Sequence, residues 1–472
     1  MPSSFRIPVF RIVVLSSAGM LAACVVGPNY EKPDTSDLTP AKWKWQTAAP
    51  RDDAPRGEWW KVFHDSELNR LEDLALSASP SLKVAVARVD QARAGARLST
   101  AGWLPDIRAK SDTSREQFSG NLPTPVPVDI PRGRVNSFST ILDLSYEIDF
   151  WGKVRREVES ARATADSVSA SYHGTLLTLT ADVAAQYFLV RSFDAEVSAL
   201  RRTITLREKW AGLLEDKFKA GAIPETDLAR AKTEVATARA ELADARRQRE
   251  EICAQLALLC GQPAGTFELA ERPIGSKAPP MIPAGVPASM LERRPDVAAA
   301  ERLVAARNAD VGVATAAYFP SVRLTGTAGF LSKDIGDLLS TESSVWSLGP
   351  RVSVPITGWA VIHFNVKRQK AAREEAIANY RQAVLGAVND VEVSLTQIRE
   401  RAAQAAAVNE ALAESTKATN LIREAYERGA LSYLELLDAE RTRLQAELQT
   451  ARVSAQRHLA TVRLIKALGG GW

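Results

Sequence analysis

Cysteine and histidine are scarce in this 472-residue chain, at three and four residues, and aromatic side chains make up only 7%. His64, His173, His363 and His458 lie far apart, with no metal-ligand spacing and no nucleophile elbow beside them, so metal and hydrolase chemistry have no visible footing. Charge of one sign is also missing. Sixty basic and 56 acidic residues leave a formal +4, which gives no nucleic-acid surface. Hydrophobic residues at 46% and charged residues at 25% exclude both a disordered tail and a polytopic helical membrane bundle. Composition alone describes a soluble, mostly helical chain that is long for one compact core.

Residues 1–24, MPSSFRIPVFRIVVLSSAGMLAAC, contradict the word soluble. Arg6 and Arg11 are followed by an apolar run of about ten residues, too short for a spanning helix and suited to a secretory signal over residues 1–23. Leu21-Ala22-Ala23-Cys24 has the form of a bacterial lipobox, so Cys24 is expected to carry diacylglycerol and an N-acyl chain, the only covalent group expected on the chain. An ordinary signal peptide with an incidental cysteine is the alternative. Val25, rather than aspartate, follows the cysteine and favours sorting to the outer membrane. Cys253 and Cys260 are seven residues apart, about 10 Å along a helix, which is beyond disulfide reach; both read as small buried residues.

The chain is written twice. Tyr172 recurs as Tyr380, Gly221 as Gly429 and Gly261 as Gly469, each 208 residues on, while Pro105 of WLP returns as Pro320 of YFP after 215. In each half a helical stretch (80–103 or 295–318) leads into a polar strand-like segment. A very long helical stretch follows (152–218 or 364–427), then a glycine turn and another helix (225–260 or 432–468). The first long stretch holds no proline and would extend about 100 Å. Leu176, Leu179, Val183, Tyr187 and Val190, and in the second half Val384, Val388, Val391, Leu395 and Ile398, advance by three and four residues and predict one buried seam on each long helix.

Residues 139–150, STILDLSYEIDF, alternate with period two. Leu142, Leu144, Tyr146, Ile148 and Phe150 take one face; Asp143, Ser145, Glu147 and Asp149 take the other. In 347–356, Leu348, Pro350, Val352, Val354 and Ile356 alternate with a polar set that includes Arg351. Segments 106–116 and 321–330 are the expected partners, the first only weakly alternating. An apolar face opposite an acidic one suits a barrel wall between lipid and water, with Asp143, Glu147, Asp149 and Arg351 toward its interior. Four strands cannot close a barrel, and an open edge in lipid leaves backbone groups unpaired, so the chain must oligomerise. Trp151-Gly152 and Gly358-Trp359 mark the strand-to-helix junctions. The glycines permit a sharp change of direction, and the tryptophans either anchor the interface or pack the junction.

LAAC at 21–24, VVGPNYEKP at 25–33, YEIDFWGKVRR at 146–156, ERRPDVAAAERLVAARNADVGVATAAYFPSVRLTG at 292–326 and YERGALSYLELLDAERTRL at 426–444 together resemble the TolC-like outer-membrane factors. Within them the lipoprotein branch of RND-type efflux systems is the nearest match, over essentially all of the mature chain. The resemblance implies an α+β fold: an internally duplicated chain whose long helices build a periplasmic α-helical barrel and whose four strands join a transmembrane β-barrel completed by trimerisation. It implies an equatorial belt drawn from about 40–75, 261–294 and the C-terminal end. The implied organisation is a lipidated segment with belt contacts at 24–65, a first repeat at 66–261, an equatorial linker at 262–294 and a second repeat at 295–472. Its implied function is a passive exit duct in the outer membrane, not an enzyme, lipid-anchored as well as integral and extending into the periplasm. The implied partners are two further copies of itself, a periplasmic adaptor, an inner-membrane transporter of RND type and outer-membrane lipid.

The glycine turns are where such a duct would close. Gly221 and Pro224 in the first half, and Gly429 and Ser432 in the second, are expected at an adaptor-facing tip; Ser432 and Glu435 have the spacing of a capping box. Leu434, Asp438 and Arg441 share one helical face, and the family's periplasmic aperture has Leu, Asp and Arg at the matching places, which carries a gate role to these three residues. Their first-half counterparts, Thr226, Arg230 and Thr233, do not repeat it. The serious rival is a periplasmic helical scaffold or adaptor held only by lipid on Cys24, which would leave the membrane without detergent once that lipid was lost.

Overall fold

The computed structural model describes residues 25–38, 57–117, 134–275, 277–282 and 294–470. Helices α1 (Ser66–Ala78) and α2 (Pro80–Thr100) lead into strands β1 (Asp106–Gln117) and β2 (Arg134–Ile148), then helices α3 (Lys153–Lys219) and α4 (Glu225–Leu259). The second half repeats the order with α5 (Pro295–Ala316), β3 (Ser321–Ser332), β4 (Ser344–Ser353), α6 (Trp359–Glu427) and α7 (Tyr433–Ala467). No described helix is long and apolar enough to cross a membrane.

Three boundaries differ from the sequence reading, each for a local reason. β2 stops at Ile148 because the Asp149 carboxylate turns to accept the Val154 and Arg155 N–H groups at 3.2 and 3.0 Å, capping the otherwise unpaired first turn of α3. β4 stops at Ser353, two residues short of Pro355, which has no N–H to donate. Helix α6 starts at Trp359 rather than 364, since Gly358 C=O already accepts from Val361 and Ile362 at 2.9 and 3.2 Å. The aromatic and β-branched run Trp359–Phe364 had hidden that start.

The strands form one antiparallel sheet in the order β1-β2-β3-β4. One row reads Asp106, Ser145, Thr325, Gly349 across the four strands. The two expected hairpins are thus joined through β2 and β3, one strand from each half. Because side chains alternate, the register gathers Ile107, Leu142, Leu144, Leu324, Trp346, Leu348 and Val352 on one face. Ile107, Leu142, Trp346, Leu348 and Val352 stand exposed there. The other face carries Arg108, Lys110, Asp143, Glu147, Arg323 and Arg351.

The chain divides into two compact units, each drawing on both halves: residues 1–33, 89–168 and 300–380 in one, and 34–88, 169–299 and 381–472 in the other. The main core of the second unit surrounds the predicted α3 seam. Leu179, Val183, Tyr187 and Val190 are buried with Trp59, Trp60, Leu68 and Leu71, and Val391 and Leu395 of α6 join them. Leu269, Ile282, Leu464, Ile465 and Leu468 complete the cluster, so segments near residue 60, near 270 and at the C-terminus meet in one place. Segment 269–272 is held by charge. Asp194, fully buried, accepts from Arg191 and Arg249 at 2.7 Å each and from the Arg272 N–H at 2.9 Å, while Arg249 donates to Leu269 C=O at 2.7 Å. Cys253 and Cys260 are both buried and unbridged, and burial pushes the Cys260 thiol up to about 11.

Glu72 of α1 is fully buried, and neither carboxyl oxygen has a hydrogen-bond partner among the described residues. Burial, with help from the neighbouring Asp73 charge, holds this carboxyl well above its usual range. The folded chain therefore binds this proton more tightly than the unfolded chain. Its contribution to stability is intact below the unfolded value and is lost as pH rises toward the raised folded one. Glu72→Met should raise stability at pH 8 by about 1–3 kcal/mol and by much less at pH 4, read as thermal midpoints; an equal gain at both pH values would refute a buried carboxyl under strain.

Candidate functional site: the sheet, its helix junctions and the helix-end turns

The polar face of the sheet is not the acidic surface that β2 alone predicts. Lys110 pairs with Asp143 across β1 and β2. Arg323 sits directly opposite Glu147, its guanidinium 3.2 Å away, and Lys153 reaches the same carboxylate at 3.2 Å. Arg351 lies opposite Arg323 on β4, the last strand of the sheet. The acids of β2 are thus neutralised by bases from both neighbouring strands, which periodicity within one strand could not reveal. Asp149 belongs to the junction: besides capping α3 it accepts from the Arg155 side chain at 3.2 Å.

At the first junction Trp151 stacks on Phe319 with ring centroids 4.7 Å apart, and its indole N–H donates to Pro320 C=O at 2.7 Å. The tryptophan that ends the first half's strand pair thereby rests on the Phe-Pro that opens the second half's. Gly152 has φ +79°, and a Cβ there would lie 2.7 Å from Val25 Cγ1, so glycine is required both by conformation and by the close approach of the N-terminal segment. The second junction is looser. Gly358 has φ +90°, and Trp359 is half exposed with its ring 5.6 Å from Tyr318.

The helix-end turns are built alike in both halves. Ala222 N–H reaches back to Lys217 C=O and Ala430 N–H to Ala425 C=O, each at 2.9 Å, with Gly221 and Gly429 at φ +68° and +78° between them. This is a Schellman closure, and it needs the left-handed residue that glycine supplies. Pro224 caps α4 without a side-chain bond. Ser432 caps α7, donating its N–H and hydroxyl to Glu435 at 2.7 and 2.9 Å. Trp210, Leu214, Leu228, Tyr426, Tyr433 and Leu436 pack between these turns, joining the ends of α3, α4, α6 and α7.

On α7, Leu434 is 54% exposed. Arg441 does not turn to Asp438 on its own helix. Its guanidinium forks onto Glu234 of α4, with one contact at 3.2 Å, and Glu234 also receives Arg207 of α3 at 3.1 Å. Glu234 and Arg207 are almost fully buried, whereas the Arg441 side chain is 53% exposed. The first-half counterparts do something else: Arg230 faces Asp227 at 3.8 Å and Thr233 bonds its own helix at Ala229 C=O. Glu440, beside Arg441 in the chain, is itself buried, and burial raises its carboxyl against the pull of Arg423 and Arg443. Sequence reasoning missed Glu234, Arg207 and Glu440. A signal did exist, since Thr233 is Arg441's repeat counterpart and Glu234 adjoins it.

A sheet with one apolar and one charged face, open at both edges and continued by two proline-free helices of 67 and 69 residues, defines a channel that several chains complete in a membrane. The profile of the family described as outer membrane efflux protein matches residues 71–262 and 286–470, and the chain belongs to that family. It is 32% identical over 465 residues to the pyoverdine export outer membrane protein OpmQ of Pseudomonas aeruginosa, covering 98% of this chain and 97% of the relative. It is 30% identical to outer membrane protein OprJ of the same organism, over 99% and 97% of the two chains. The Campylobacter jejuni CmeC outer membrane channel superposes with a TM-score of 0.87 at 25% identity over 95% of each chain. The open-state Neisseria gonorrhoeae MtrE channel gives 0.82 at 28%, over 95% and 98%. The chain is an outer-membrane efflux channel of the RND-type tripartite class, a conduit rather than an enzyme, whose barrel closes by trimerisation.

The expected lipid is corrected by the same comparisons. Cys24 lies outside the described residues. The matched family and the superposed channels are integral outer-membrane proteins held by their strands, not chains anchored through an acylated cysteine. The sequence reading had a sheet that suffices for membrane insertion and added a second attachment from four residues, LAAC. The placement is integral outer membrane.

Within the Arg207–Glu234–Arg441 group, the buried and exposed pairs should differ in worth. Arg207→Met should destabilise by about 3–5 kcal/mol, because Glu234 is left buried and charged. Arg441→Gln should cost about 1 kcal/mol or less. Thermal unfolding of the detergent-solubilised trimer checks both, and equal costs would contradict the assignment of Arg207 as Glu234's structural partner.

Proposed function

We propose that the channel is the passive exit duct of a tripartite pump, opened and closed at a gate formed by Leu434, Asp438 and Arg441. The observation that carries this reading is the state of Arg441: half exposed, and held by a carboxylate of another helix of its own chain. Such a pair is weak enough to break and exchange, while Arg207 keeps Glu234 satisfied when Arg441 leaves. Exposed Leu434, one helical turn before Asp438, adds an apolar ring when the chain is repeated by symmetry. Gly221, Pro224, Gly429 and Ser432 form the rim that meets a periplasmic adaptor, whose transporter in the inner membrane supplies the energy. Two rigid Schellman turns supported by one aromatic cluster suit such a docking rim.

The duct's interior is lined at the membrane by the sheet's charged face, with Asp143, Glu147 and Arg351 toward water and Asp149 at its lower rim. Trp151 and Trp359 lie at the interface level, the first also locking the junction. Residues 66–261 and 295–472 act as two copies of one unit, joined by the linker 262–294 and preceded by the contact segment 24–65. Cargo is small molecules selected upstream. Relatives of similar identity are described as pyoverdine export, solvent efflux and toluene efflux proteins, a chemical spread that fits a conduit with no substrate pocket of its own.

Asp438→Ala with Arg441→Ala should raise single-channel conductance in planar bilayers, and Glu234→Gln should raise it less, since Asp438 then remains. Conductance that the double variant leaves unchanged would remove the gate from these residues.

A further inference from the structure

The first unit carries a groove of about 360 Å³ just below the sheet, between the turn before β1, the first three turns of α3, and α5. Three features of it are independent. Trp103, the last residue of the short 3-10 turn Ala101–Trp103 before β1, is 44% exposed, and the Arg162 guanidinium lies 5.8 Å from the centre of its ring. Arg162 has no ion-pair partner among the described residues, although the other charges in the groove are mostly committed. Arg155 is bonded to Asp149, Arg302 lies 3.4 Å from Glu301, and Glu159 is bound by Arg156 at 2.7 Å; Asp166 stands one turn beyond Arg162. Beyond the groove on the side of the sheet, Leu104, next to Trp103, is 68% exposed, and Ile107, 62% exposed, stands on the sheet's apolar face opposite Leu144.

An uncommitted arginine against an aromatic ring, with bare apolar residues on one side only, is a two-part surface: a cation below and a hydrocarbon-compatible wall above. Trp103 precedes the first residue of β1 by three positions, about 10 Å of extended chain. Arg162 lies nine residues into α3, about 14 Å of rise, and an extended arginine can recover half of that. Tryptophan settles at the level where headgroup meets acyl chain, and guanidinium forks onto phosphate oxygens. A free phosphate would use the cation and leave Leu104 and Ile107 bare.

We propose that this groove binds an anionic phospholipid of the inner leaflet, with its phosphate on Arg162, Trp103 beside its ester region and its acyl chains along Leu104 and Ile107. One such site per chain fixes the depth at which the barrel sits. The test is native mass spectrometry of the delipidated trimer titrated with phosphatidylglycerol, with phosphatidylcholine and, separately, with inorganic phosphate. The wild-type trimer should retain phosphatidylglycerol in preference to phosphatidylcholine. Arg162→Gln should weaken that retention by about fivefold, Trp103→Ala should also weaken it, and Arg247→Gln, an exposed arginine of α4, should not change it. Equal retention by wild type and Arg162→Gln overturns the proposal. So does displacement of the lipid by inorganic phosphate, which would mark a free-anion site, or loss of the trimer in Arg162→Gln, which would mean that a second copy covers the groove.

Discussion

In hydrocarbon, a β-strand has no partner for its backbone N–H and C=O groups except another strand, and β1 and β4 each leave one edge of the sheet without one. That constraint governs the molecule. A single chain cannot pay it internally with four strands, so the closed barrel belongs to the trimer. The sequence follows from the same demand. Each strand must offer an apolar face and a polar one, the apolar residues must stay exposed in the isolated chain, and the charges opposite them must be balanced within the sheet. Leu142, Trp346, Leu348 and Val352 meet the second condition; Lys110 with Asp143 and Arg323 with Glu147 meet the third.

Duplication makes the sheet possible in one chain. β2 comes from the first half and β3 from the second, and their pairing is the seam between two copies of the same unit. The contact that secures it below the strands, Trp151 on Phe319 and Pro320, likewise joins one residue from each half. The long helices obey a simpler rule. With no proline in α3 and an apolar step of three and four, nothing interrupts the helix until Gly221 takes a left-handed conformation and ends it. Gly429 ends α6 by the same hydrogen-bond pattern, so the two halves share not only helices but the geometry that stops them.

Features with a period were legible in the sequence. The seams at Leu179–Val190 and Val391–Leu395, the alternation as far as Ile148, the glycine turns and the Ser432 cap all appeared where spacing placed them. What escaped were pairings between elements distant in the chain. Glu147 looks like one of a row of acids until Arg323 is set beside it by the sheet register. Arg441 looks like Asp438's partner at three residues' separation until α4 brings Glu234 to it. Nothing in the sequence singles out Glu72, and only the packing around Leu68 and Leu71 shows it to be enclosed. Local propensity cannot foresee any of these, because each depends on which helix or strand becomes the neighbour. The LAAC motif erred in the opposite sense: a local pattern was given a membrane role that the strands already fulfil.

The two arginines on Glu234 show how one buried carboxylate can be both permanent structure and a releasable contact. Arg207 is enclosed with it, and separating that pair would strand a charge away from water, a penalty of several kcal/mol. Arg441 approaches from the wet side, where water replaces either partner at little cost. Breaking the second contact therefore leaves the helix packing intact, since Glu234 keeps its first partner and Trp210, Tyr426 and Tyr433 keep theirs. A helix end built in this way can change its exposed contacts without unfolding its core. The asymmetry between the halves makes sense on the same ground: Thr233 and Arg230, tied to their own helix, leave α4 to supply the fixed carboxylate while α7 supplies the exposed arginine that meets it.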